Sequence, residues 1–259
     1  MIPERQHNMK NSPLIDYLLH LADNTLILSQ RNAEWCGHGP ILEQDIAITN
    51  ISLDLLGQSR NLYQYAAQLM NNGATEDSLA YLRTEREFKN CLLTEQPSGD
   101  WAQTILRQCI FSNYQYLLYD KLQHSTNPQL AAIAAKALKE VAYHVTWSNE
   151  WVIRLGDGTE ESRNRILAAV EELWRYTGEL FLPAAYEKEV AADGSGIDVS
   201  ELEAAWNDRM TTVFEEATLP VPGKVFAQTG GKTGIHTEQL GYILAELQYL
   251  QRTYPGAQW

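Results

Sequence analysis

The chain has 259 residues, a formal net charge of −13, 44% hydrophobic residues and 20% charged residues. That balance excludes wholesale disorder. So acidic a chain would repel a phosphate backbone, which excludes a nucleic-acid-binding role. No apolar run approaches the roughly 18 residues of a membrane span. Residues 1–12 lack the apolar stretch of a secretory signal and read as a flexible leader, with residues 13–259 as a single helical domain. Three cysteines, Cys36, Cys91 and Cys109, have neither metal-ligand nor scaffold spacing, so a reduced, cytoplasmic setting is expected.

Helix signals dominate. Leu14, Leu18, Leu21, Thr25 and Leu28 step along one buried face of a first helix, which the stretch from Gly37 to Pro40 ends. A second long helix spans about residues 41–70 and stops at Asn71-Asn72-Gly73. A third is expected over about 76–94, before the loop Gln96-Pro97-Ser98-Gly99. A fourth, rich in aromatics, runs from Asp100 to about Gln123. Asn127-Pro128 supplies a cap and a first-turn proline for a fifth helix ending near Gly156. A sixth spans about 160–182 and stops at Pro183, and Asp193 to Gly196 forms a turn. Ser200 and Glu203 read as a capping box for a seventh. Leu219 to His236 is an extended loop, and Thr237 caps a last helix reaching about Thr253. No alternating run long enough for a strand is present. The pattern is all-α: a helical bundle with additional C-terminal helices.

Such a bundle can hold a di-metal site in its core, with one Glu from each of two helices and Glu-x-x-His from the other two. In the second helix the candidate stretch is Asp54 to Gly57, with glycine where histidine is required. In the fifth it is Glu140 to Tyr143, with tyrosine there instead. Asp23 and Asn24 stand about 30 residues before Asp54, one antiparallel helix away. Between Trp101 and Tyr119 there is no Asp, Glu or His. The pattern provides no complete ligand set: Asp54, Gly57, Glu140 and Tyr143 read as vestigial ligand positions, with His144 able to restore one ligand. An active metal-dependent oxygenase using Asp23, Asp54, Glu140 and His144 stays open as an alternative.

Three other features compete for a functional role. Arg83, Arg86 and Lys89 repeat at three-residue steps on the expected third helix, beside Glu87, Phe88 and Asn90. This stripe could meet the phosphates of an acyl-coenzyme A, or it is a solvated face balanced by its own glutamates. An acyl-CoA-binding module is therefore a further alternative. Glu34, Cys36 and His38, followed by Glu43 and Asp45, read as a turn packed against two helix ends. The stretch Thr229 to Thr233 lacks the upstream glycine and the preceding strand of a phosphate-binding loop.

Three segments, LSQRNAEWCGHGPILEQDIAITNISLDLLGQSRN (28–61), NPQLAAIAAKALKEVAYH (127–144) and TGGKTGIHTEQLGYILAELQYLQRTYPGAQW (229–259), resemble the C-subunit family of bacterial phenylacetyl-CoA oxygenases, or ring-1,2-phenylacetyl-CoA epoxidases. The likeness runs from about residue 13 to the C-terminus. It implies a ferritin-like fold and a non-catalytic, structural role in aerobic phenylacetate catabolism. In such systems a separate A subunit holds the di-iron centre, a reductase delivers electrons from NADPH, and further subunits complete the complex. The resemblance implies a heteromer with the A subunit, no cofactor in this chain, and no catalytic residues to carry over. Phenylacetyl-CoA itself remains an open contact.

Overall fold

Ser12 accepts a hydrogen bond from the Ile15 amide (3.4 Å) and Pro13 fills the first turn, so the first helix, α1, runs Pro13–Ala33. The structure, a computed structural model, describes residues 12–257. The leader expected over residues 1–12 thus lies outside the described residues, apart from Ser12. A second helix, α2 (Leu42–Met70), ends on Asn71 in the left-handed conformation (φ 48°). That conformation is one asparagine tolerates better than most residues. After a crossover come α5 (Trp101–Leu122), capped by Asp100, and α6 (Pro128–Gly156), capped by Asn127. The expected bounds of these four helices hold to within a few residues.

The crossover is not the single helix expected over 76–94. It consists of α3 (Glu76–Tyr81), a 3₁₀ turn at Glu85–Glu87 and α4 (Leu92–Glu95). Buried groups on α1 explain the break. The Asp23 carboxylate accepts from the Lys89 amide and the Asn24 side chain from the Cys91 amide, both at 2.7 Å. A continuous helix would spend those N–H groups internally and leave two buried acceptors unpaired.

Beyond α6, α7 (Glu160–Leu173) gives way to 3₁₀ turns at Trp174–Tyr176 and Gly178–Phe181, rather than continuing to Pro183. The tightened chain carries Glu179 inward, where it accepts from the amides of Leu92 (2.7 Å) and Gly230 (2.8 Å). A short α8 (Ala185–Ala192), unexpected from the sequence, precedes the turn at Asp193. Asp198, not Ser200, opens the next segment: it accepts from the Ser200 amide at 3.0 Å, starting a 3₁₀ turn that runs into α9 (Glu203–Glu216). The last helix is divided into α10 (Glu238–Leu247) and α11 (Tyr249–Thr253). Buried Gln248 sits at the break and donates to the carbonyls of Ala80 and Arg83.

Cross-links between side chains fix the bundle. Tyr63 on α2 meets Asp23 on α1, Asn32 on α1 meets Gln108 on α5, and Asn149 on α6 meets Asn113 on α5. Gln58 and Glu140 join α2 to α6. These pairings make each neighbouring helix antiparallel, so α2 and α5 are parallel and need the long crossover. This is the ferritin-like arrangement. Among the described residues there is no strand, and no helix is long and apolar enough to cross a membrane.

The four helices are buried unequally. Every residue of α5 from Ala102 to Gln115 is buried, and α1 is buried nearly all round. The appended elements explain this: α4 and α8 pack on α1, and α7 and α9 pack on α5. By contrast, α2 and α6 are amphipathic and alternate buried with exposed positions along their length.

Candidate functional site

The bundle interior at the expected ligand depth holds a chain of polar side chains tied to one another. On α6, Glu140 Oε2 accepts from Gln58 Nε2 of α2 at 2.9 Å, and Gln58 Oε1 accepts from Gln115 of α5 at 3.0 Å. Nearer the other end, His144 Nε2 meets Asp54 at 3.0 Å, while Ser148 donates back to the His144 carbonyl at 2.7 Å. On the α1 side, Asn32 donates to Gln108 Oε1 (2.6 Å), whose amide reaches Ser112 (2.7 Å). Helix α5 thus contributes amides and a hydroxyl where a metal-binding bundle would place a carboxylate.

The register of the vestigial positions differs from expectation. Gly57 is exposed, and a Cβ built on it would touch nothing within 4 Å. Tyr143 is likewise on the outside, 48% exposed. The residues that follow them, Gln58 and His144, are the ones directed inward, four rather than three residues after Asp54 and Glu140. The expected i,i+3 alignment thus falls one position short. The i,i+4 step also lies on one helix face, so helical geometry alone could not choose between them.

Asp23 stands apart from this chain. Its carboxylate accepts from Tyr63 (2.5 Å), from the Lys89 amide (2.7 Å) and from both terminal nitrogens of Arg83. A carboxylate with that many protein donors has no lone pair directed to a metal. Asp23, Asp54, Glu140 and His144 therefore do not converge. Among the described residues no three His, Cys, Asp or Glu side chains are grouped so as to hold a metal ion. The residues present do not fit a di-iron centre, which needs several carboxylates and imidazoles around one point.

The expected cationic stripe does not form a helix face. Arg83 turns inward to Asp23, with its guanidinium also over the Phe88 ring at 4.2 Å. The charge of Asp23 outweighs the cost of burial and holds the Arg83 pKa above its ordinary value. Phe88 and Asn90 are fully buried, and Arg86 and Glu87 are exposed. Lys89 is half-buried, paired with Asp16 (3.7 Å) and set over the Tyr186 ring. The three-residue charge spacing imitated a helix surface, whereas the segment is irregular and wound round α1.

Sequence reasoning missed a set of buried charges beneath this segment. Glu95, fully buried, accepts from His236 Nδ1 (2.8 Å), Asn90 (2.8 Å) and the Thr237 amide (2.7 Å). Thr237 therefore engages Glu95 rather than capping α10. His236 Nε2 faces the Phe88 carbonyl at 3.0 Å. With an acceptor at each ring nitrogen, the imidazole is doubly protonated. Burial opposes that charge, but the Glu95 carboxylate prevails and the pKa is raised. Lys232 is also buried, donating to Glu187 (3.0 Å) and the Leu182 carbonyl (3.1 Å). The glycines beside it permit close approach: a Cβ on Gly231 would lie 2.1 Å from the Asn90 carbonyl oxygen. This lysine braces the core and makes no phosphate loop.

The turn after α1 is structural as expected. Glu34 pairs with Arg31 (2.8 Å), Asp45 accepts from the Gly39 amide (2.9 Å), and Trp35 donates to Thr104 (2.8 Å). The three cysteines are free thiols, Cys36 exposed and the others buried.

A ferritin-like bundle whose core carboxylates are engaged by amides and one imidazole defines the class: a relative of the di-iron oxygenase bundles that lacks their ligand set. The sequence model of the family described as phenylacetic acid catabolic protein matches residues 2–259, and the chain belongs to that family. It is 50% identical over 246 residues to the C subunit of the 1,2-phenylacetyl-CoA epoxidase of Escherichia coli (strain K12), a match covering 95% of this chain and 99% of that protein.

Proposed function

We propose that this chain is a non-catalytic subunit of a phenylacetyl-CoA epoxidase, where it binds and stabilises the di-iron A subunit in the cytoplasm. One observation supports this above the others. The inward positions of α2, α5 and α6 are occupied by hydrogen-bonded pairs, Asp54 with His144 and Glu140 with Gln58. Retaining these groups as satisfied polar pairs keeps the bundle shape without an ion to organise it. Chemistry on O₂ then belongs to the partner, and this chain contributes a rigid surface. Any contact with the phosphates of the substrate falls to Arg86 and Lys89, since Arg83, Phe88 and Asn90 face inward.

Iron analysis of the purified full chain, with turnover of the reconstituted complex, tests the reading. The expected outcome is iron well below one equivalent per chain, with Asp54→Ala and Glu140→Ala complexes retaining turnover within about twofold, because neither group would touch reacting atoms. Stoichiometric iron together with loss of turnover in either variant would instead establish the active-oxygenase alternative.

A further inference from the structure

Helix α2 carries two seams. Ile48, Ile51, Leu55 and Leu62 point into the bundle and are fully buried. A second series, Leu42, Ile46, Leu53 and Leu56, lies on the opposite side, at 71%, 52%, 60% and 39% exposure. With Thr49 between Ile46 and Leu53, its steps alternate four and three, the spacing of a seam that packs against another helix. A solitary exposed leucine is unremarkable, whereas four in register along one helix form a continuous apolar strip.

The neighbouring helix extends the strip. On the outer side of α6, Lys136, Lys139, Tyr143 and Thr146 are exposed in the same alternation. Charge is sparse here. From Ile46 to Met70 the charged residues are Asp54 and Arg60, and from Pro128 to Asn149 they are Lys136, Lys139 and Glu140. Asp54 and Glu140 are turned to His144 and Gln58. In a chain of net charge −13, this face has cations outnumbering carboxylates, and depletion of charge marks the centre of an interface. The appended helices wrap α1 and α5 but leave this face of α2 and α6 uncovered.

We infer that the outer α2–α6 face is the docking surface for the epoxidase's catalytic subunit, which presents a helix with its own apolar seam flanked by acidic residues. The inference rests on the function proposed above. A second copy of this chain is a poorer occupant, because it would bring together two bodies of net charge −13 and two pairs of lysines.

The test is titration of the full-length chain against the catalytic subunit, with wild type set beside L53K/L56K and K136E/K139E. The double leucine variant should retain the wild-type Tm and circular dichroism, since both side chains are on the surface, and should bind at least about 100-fold more weakly. The charge-reversal pair should slow association and flatten its salt dependence. Hydrogen exchange on the wild-type complex should show protection over residues 46–57 and 136–146. Tight binding by L53K/L56K, with no protection over those segments, would overturn the assignment of this face while leaving the proposed function standing. Wild-type binding that fails altogether would overturn both. Self-association of wild type that L53K/L56K abolishes would assign the face to a second copy and overturn the choice of partner.

Discussion

His236 shows how a single side chain can be read in full from its neighbours. Both ring nitrogens meet acceptors, Glu95 and the Phe88 carbonyl, so the folded protein holds the ring as a cation and its pKa is raised. Linkage fixes the sign: the stabilisation is complete below the unfolded value of about 6.5 and is lost as pH rises through the raised folded value. His236→Asn should therefore depress Tm more at about pH 6 than at about pH 8.5, measured by thermal unfolding of both proteins at each pH. An equal depression at both values would remove the charge from the account. His20 runs the opposite way. Its Nδ1 must donate to the Lys89 carbonyl while Nε2 accepts from Asn24, so the ring is neutral, and burial lowers its pKa. Neither role was legible in the sequence, because His20 and His236 acquire their partners from segments about 69 and 141 residues away.

Among the helices, those ended by local chemistry were the ones legible in advance. Asn127-Pro128 and Asp100 announce α6 and α5, and Asn71 ends α2, each through a side chain or a backbone preference of its own. The crossover was not legible, because its shape is imposed by α1. Arg83 looked like the start of a surface stripe, yet its guanidinium neutralises Asp23 in the core. Such a pair makes a specific demand on the chain between residues 82 and 91. Arg83→Ala should lower stability by about 3–5 kcal/mol, since it leaves a buried carboxylate uncompensated. Combining Asp23→Asn with Arg83→Met should recover a large part of that loss, as judged by denaturant unfolding. A loss under about 1 kcal/mol in the single variant would show that water reaches Asp23 readily. The degenerate core was legible in kind but not in register. The absence of a carboxylate on α5 could be read directly, whereas the choice of Gln58 and His144 over Gly57 and Tyr143 depended on how the helices rotate about their axes.

At the scale of the whole molecule, the ligand-poor core and the uncovered helix face support one account. The bundle shape is kept by polar pairs and buried ion pairs in place of a metal, and the appended helices close α1 and α5 while α2 and α6 stay open. Composition could show an acidic, helical, water-facing chain, but not where the acid was missing; that required the fold to bring α2 and α6 side by side. The central claim is that this chain pairs with a separate iron-bearing one. Co-expression with the A subunit, followed by size-exclusion chromatography with iron measured across the peak, tests it most directly. The account predicts one heteromeric peak whose iron matches its content of the A subunit alone. Separate elution of the two proteins, or iron that follows this chain when it is isolated, would contradict it.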